Sequence, residues 1–157
     1  MDAVKVLGGR KGVESLIARG DSARDRRDWE AAARYYRDAL DVDGSLAHIW
    51  VQYGRALKEA RRYGEAERAY QTALEIEDLA DTHLQLGHLH KITGPRWEAE
   101  GDYLRALERQ PDLSDARMEL IRMGWTFISP PKKEPGTGPG SKESIYVDRD
   151  GDGVSIN

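Results

Sequence analysis

Residues 47–79, AHIWVQYGRALKEARRYGEAERAYQTALEIEDL, decide the fold. Trp50, Tyr53 and Leu57 recur at spacings of three and four, which places them on one helical face. Ala66, Tyr70, Ala73 and Leu74 do the same on a second helix, after a turn at Arg61-Arg62. Small residues stand where two antiparallel helices must approach: Gly54 mid-way along the first, Ala66 and Ala73 seven apart on the second. A glycine inside a helix costs about 1 kcal/mol relative to alanine. A side chain of the partner helix filling the space above the glycine offsets that cost, and Tyr70 is expected there.

The unit recurs on both sides. Gly20 and Gly54 are 34 apart, as are Ala32 and Ala66, Tyr36 and Tyr70, Ala39 and Ala73, and Leu40 and Leu74. Forward, the step is 33: Gly54 to Gly87, Ala66 to Ala99, Tyr70 to Tyr103, Ala73 to Ala106, Leu74 to Leu107. One residue has been lost from the loop near Asp78 and Leu79. Self-similarity at such a period marks a stack of supersecondary units, each burying its apolar face on its neighbours.

A period of 34 with this Gly, Ala and Tyr pattern resembles the tetratricopeptide repeat family. The resemblance covers residues 13–113, with a capping helix to Trp125. It implies an all-α fold: a three-repeat helical solenoid, a right-handed superhelix, with a C-terminal capping helix and a mostly disordered tail. Arg19 and Ala23 depart from the pattern in the first repeat, and His83 and His90 in the third. Only Pro111 supplies the terminal proline; Gly44 and Asp78 take its place in the earlier copies.

The expected organisation is an N-terminal extension at 1–12, with a helix at 2–7 as an alternative, then repeats at 13–46, 47–79 and 80–113. A capping helix at 114–125 follows, with Asp112 or Ser114 as its N-cap. A Pro/Gly linker is expected at 126–144, since four of the six prolines fall in 129–144. Residues 145–157 regain apolar character. They read as an acidic tail, a strand folding back on the array, the start of a truncated domain or a non-native fusion.

Composition narrows the function classes. The absence of cysteine excludes disulfide and thiol chemistry. No apolar run approaches the roughly 20 residues needed to span a bilayer, and MDAVKVLGGRKG has no apolar signal core. A cytoplasmic location is therefore expected. A net charge of −4 gives no general affinity for nucleic acid. Gly8-Gly9-Arg10-Lys11-Gly12 lacks the spacing and the preceding strand of a phosphate loop. No catalytic constellation and no cofactor motif stands out, so the chain is read as non-enzymatic.

In tetratricopeptide arrays the first helix of each pair lines the concave side, with ligand-facing positions at the second, fifth, ninth, twelfth and thirteenth of each repeat. Carried over, these are Glu14, Ile17, Asp21, Arg24 and Asp25, then His48, Val51, Arg55, Lys58 and Glu59, then Asp81, Leu84, His88, Lys91 and Ile92. The cap adds Met118 and Arg122. The twelfth position is basic each time: Arg24, Lys58, Lys91. With Arg55 and Arg122 these make a basic stripe, and Ile17, Val51, Leu84 and Met118 an apolar strip beside it. Such a face suits a peptide or protein partner, probed through its acidic groups. The family's carboxylate clamp needs asparagines at the ninth positions; here they are Asp21, Arg55 and His88, so that route to chaperone tails is not expected.

His83, His88 and His90 share a helix, but a metal would prefer spacings of three or four, so they read as packing residues. Asp148, Asp150 and Asp152 match the opening of an EF-hand loop that lacks its closing glutamate, a weak calcium candidate. Two other roles stand beside the scaffold reading. One is the non-catalytic N-terminal arm of a larger enzyme: bacterial glycosyltransferases with such arrays carry segments similar to ADTHLQLGHLHKITG and LSDARMELIRMGW. The other is homo-oligomeric self-assembly through the tail.

Overall fold

A computed structural model describes residues 9–128 and the strands at 145–148 and 154–156. The proposed helix at 2–7 lies outside the described residues. Among the described residues seven helices follow in order: α1 (Arg10–Asp25), α2 (Trp29–Val42), α3 (Ala47–Glu59), α4 (Tyr63–Ile76), α5 (Ala80–Thr93), α6 (Arg96–Arg109) and α7 (Ser114–Arg122). They stack as three antiparallel pairs with α7 against the last.

The repeated residues do the same job in each pair. A Cβ built on Gly20, Gly54 or Gly87 would lie 2.6, 2.6 and 2.5 Å from Cε1 of Tyr36, Tyr70 and Tyr103 respectively. Those separations are far inside van der Waals contact, so the absent side chain is what lets each ring sit on its neighbouring helix. All three tyrosines and Ala32, Ala66 and Ala99 are fully buried. The core forms two clusters that meet within α5: Leu86 and Leu89 pack with the first two repeats, while Leu84 packs with α6 and α7.

Helix ends explain the turns. In α1 and α3 the chain leaves through Arg27 (φ 59°) and Arg61 (φ 64°). At the first, Asp28 N donates to Ala23 O at 2.9 Å and Arg27 N to Arg24 O at 2.8 Å. At the second, Arg62 N donates to Leu57 O and Arg61 N to Lys58 O. This paired pattern around a left-handed residue is the Schellman motif. The carboxylate of Asp28 then caps α2 by accepting from Ala31 N at 3.1 Å. At α5 the pattern is absent: Gly94 has an extended φ of −115°, and Pro95 precedes α6 directly.

The expected side-chain cap at Asp112 or Ser114 does not form. Leu113 is the N-cap of α7, as Leu46 and Leu79 are of α3 and α5, and none of the three carries a side-chain cap bond. Leu46 and Leu113 pack on the core instead, so apolar burial takes the position that hydrogen bonding would otherwise use. Helix α7 also ends like α1 and α3, with Gly124 at φ 89° and Trp125 N donating to Leu120 O at 2.9 Å. By both its ends α7 resembles the first helix of a further pair.

Residues 126–128, expected at the start of a linker, form strand β1 (Thr126–Ile128). It pairs antiparallel with β2 (Ile145–Asp148), which pairs with β3 (Val154–Ile156). Phe127 faces Val147 in the register and packs on the second core cluster.

Candidate functional site

The candidate face is built from α1, α3, α5 and α7. Two adjoining hollows lie along it toward the C-terminal ends of α1, α3 and α5. One, of about 120 Å³, is lined by Arg24, Trp29, Gln52, Arg55, Lys58 and Glu59. The other, of about 770 Å³, is lined by Lys58, Glu59, Tyr63, His88, Lys91 and Ile92. Lys58 and Glu59 belong to both, so basic side chains of three successive repeats lie along one continuous surface.

The stripe is uneven in charge. Arg24 donates to Asp21 and Asp25 at 3.0 Å each. Lys91 is 2.5 Å from Glu119 of α7, which also accepts from Arg122 at 2.5 Å. Burial pushes the Glu119 carboxyl up, but Lys91 and Arg122 pull harder and hold it below the ordinary glutamate value. Lys58 lies 3.5 Å from Glu59. Arg55 is exposed and has no ion-pair partner among the described residues.

Two of the tyrosines bond residues of this face through their hydroxyls. Tyr36 donates to Asp21 Oδ1 at 2.8 Å, and the Tyr103 hydroxyl lies 3.0 Å from His88 Nδ1. Burial, with Lys58 and Lys91 acting the same way, holds His88 below the ordinary imidazole pKa. In the tautomer whose Nδ1 accepts a hydrogen bond from the Tyr103 hydroxyl, neutral His88 keeps Nε2–H as a donor. The Tyr70 hydroxyl is buried and has no partner.

The expected apolar strip does not form. Val51 and Leu84 are 2% and 4% exposed, each inside a core cluster. Neighbouring first helices close over the fifth position, so these side chains serve the seam between repeats. Ile17 is half-buried beside another hollow with His48 and Glu14, Met118 is exposed, and Asp81 accepts from Gln85 at 3.2 Å.

The histidines that read as packing residues carry polar contacts. His83 Nε2 is 2.7 Å from Asp78 Oδ1, and His90 Nδ1 is 2.6 Å from the buried Asp102. Among the described residues no cluster of His, Asp and Glu could hold a metal ion. Asp148 ends β2, while Asp150 and Asp152 lie outside the described residues. No described helix is long and apolar enough to cross a membrane.

Sequence reasoning missed Glu119, Gln52 and the tyrosine hydroxyls. A signal for the last was available: each tyrosine follows the ninth position of its repeat by 15 residues.

Fold and repeat together point to a class: the chain's stacked helix pairs have the architecture of a tetratricopeptide repeat solenoid, and residues 47–78 match the tetratricopeptide repeat family model. Among curated proteins it is similar to Protein O-mannosyl-transferase TMTC3 of Mus musculus, 26% identical over 97 residues, covering 61% of this chain but 10% of that protein. The chain thus spans about a tenth of the length of the curated relatives it matches. Among solved structures it resembles the Arabidopsis OM64 TPR domain, with TM-score 0.68 and 22% identity over 71% of this chain and 93% of that one. The first TPR of Spaghetti (RPAP3), bound to the HSP90 peptide SRMEEVD, gives TM-score 0.67 at 19% identity, covering 71% and 90%.

Proposed function

We propose that this array is a non-catalytic protein-interaction scaffold. Its concave face takes an acidic segment of a protein partner along Arg24, Arg55, Lys58, His88 and Lys91. The observation that carries the reading is the continuous surface of the two hollows joined at Lys58 and Glu59. Arg55 and His88 offer donors there, and carboxylates are the acceptors that guanidinium groups bind most strongly. The structural relative bound to SRMEEVD, a peptide with three acidic residues, gives the mode a precedent on the same fold. Asp21, Asp25, Glu59 and Glu119 lie among the basic groups, so the face selects where an acid sits rather than attracting any polyanion.

Peptide-display selection on the immobilised chain tests this. Wild type is expected to enrich Asp- and Glu-containing sequences, and Arg55→Glu/Lys58→Glu is expected to lose them. Equal enrichment by both proteins would remove the groove assignment.

A second reading has one observation of its own. The matched stretch forms a small part of a longer O-mannosyl-transferase, which suits an array serving as the non-catalytic arm of a larger enzyme. A gene encoding a transferase domain in the same reading frame would support it.

A further inference from the structure

Within the proposed groove, we infer that the middle repeat holds a carboxylate of the partner between the Tyr70 hydroxyl and the Arg55 guanidinium, and that this pair sets where the acidic residue is read. The inference rests on the groove reading above.

The three tyrosines sit on their glycines with ring contacts that agree within 0.2 Å, so the three hydroxyls occupy equivalent places. What differs is the residue beside each. In the first repeat Asp21 accepts from Tyr36 at 2.8 Å. In the third, His88 offers Nδ1 to Tyr103 at 3.0 Å. In the second that residue is Arg55, which has only donors. The Tyr70 hydroxyl is accordingly buried and unpaired, and Arg55 is the charge acting on it most strongly. A buried donor without an acceptor is costly, and native structures rarely keep one without a use.

The basic residues divide in the same way. Arg24 is answered by Asp21 and Asp25 within its own helix, and Lys91 by Glu119. At the first and third repeats the chain supplies its own carboxylates. At the second, the contact of Lys58 with Glu59 is long at 3.5 Å, and Arg55 has none among the described residues. The hollow of about 120 Å³ opens at this place, lined by Arg24, Arg55 and Lys58. Gln52 Oε1 is buried there without a partner, and turning its amide would offer a further N–H. Tyr70 does not line that hollow and its hydroxyl is covered, so a carboxylate that answers Arg55 and Tyr70 together, one oxygen to each, enters as the side chains over the hydroxyl move aside.

The test uses a fluorescein-labelled decapeptide carrying four glutamates, its all-glutamine counterpart, and each with a free or amidated C-terminus. Fluorescence anisotropy is measured with wild type, Tyr70→Phe and Arg55→Gln, alongside thermal melting. Wild type is expected to prefer the glutamate peptide. Tyr70→Phe should weaken it about tenfold, in line with one hydrogen bond to a charged group, while melting no lower than wild type because the lost hydroxyl has no partner. Arg55→Gln should weaken it at least as much. Loss of binding on C-terminal amidation alone assigns the carboxylate to the chain end, and loss only on Glu-to-Gln exchange assigns it to side chains. Undiminished binding by Tyr70→Phe overturns this inference and leaves the groove standing. Equal affinity of wild type for all four peptides, the amidated glutamine peptide included, overturns the groove reading as well.

Discussion

Each repeated glycine is a contact with a tyrosine ring. Its replacement sets two effects against each other. Gly54→Ala gains about 1 kcal/mol in helix propensity. Its new methyl would meet the fully buried Tyr70 ring at 2.6 Å, and overpacking of that kind costs roughly 1–3 kcal/mol. A net loss of about 1 kcal/mol is expected from urea denaturation. Gly101→Ala, in α6, is the control. A Cβ there meets only the end of the flexible Arg105 side chain at 3.7 Å, so a gain of roughly 0.5–1 kcal/mol is expected. Stabilisation by both substitutions would show that Tyr70 does not hold its place. Asp78 offers a different readout. Hydrogen bonds from Arg109 and His83 depress its pKa to about 2. Because the folded value lies below the unfolded one, the contribution is present above the ordinary aspartate pKa and lost as pH falls through about 2. The melting temperature of wild type should therefore fall between pH 4 and 2 more steeply than that of Asp78→Asn. Parallel curves would show that the Arg109 contact does nothing in solution. The side chain is half exposed, so the difference should be small.

At the scale of elements, sequence and structure agree wherever a contact repeats and part wherever it does not. The helices of the three pairs were legible because Gly, Ala and Tyr return at a fixed step, and each return is the same ring-on-glycine contact. The burial of Val51 and Leu84 was not legible. Exposure at the fifth position depends on how closely adjacent first helices pack, which no residue within one repeat records. The ion pair of Lys91 with Glu119 joins residues 28 apart on α5 and α7, so no local spacing announces it. Strand β1 is three residues long, too short for alternation to show before the prolines. The turn falls at Arg61-Arg62 as expected, but the left-handed residues Arg27 and Arg61 were not foreseen, since that conformation favours glycine. A non-glycine residue pays about 1–2 kcal/mol there. Arg27 is exposed, and its side chain makes no hydrogen bond or ion pair among the described residues. Arg27→Gly should thus stabilise the chain by roughly 0.5–1 kcal/mol after the extra unfolded-state entropy of glycine is subtracted. Denaturant midpoints measure this directly. A destabilised variant would mean that the arginine side chain holds the turn in some other way.

Across the whole molecule, a stacked array gains stability from each repeat and from the seams between neighbours, so damage need not spread evenly. Here the core divides at α5, whose Leu86 and Leu89 face one cluster and Leu84 the other. Helix α7 is short, nine residues, and has no side-chain N-cap bond. It is held by the buried Ala116 and Leu120 and by Glu119 clasped between Lys91 and Arg122. Leu120→Ala removes the largest of these apolar anchors, and such truncations cost about 2–5 kcal/mol. The loss should be felt first in α7 and α6, which share its cluster. Leu57→Ala, by contrast, opens the cluster that joins the first two repeats and reaches α5. Native-state hydrogen exchange distinguishes the two. Leu120→Ala should speed exchange in α6 and α7 while α1–α4 keep wild-type protection, and Leu57→Ala should speed exchange in α1–α4. The groove would then keep its middle rung at Arg55 and Tyr70 when only the C-terminal end is loosened, so Leu120→Ala should still bind the glutamate peptide. If exchange instead accelerates equally in every helix for both variants, the molecule opens as one unit and the division of the core at α5 has no energetic meaning.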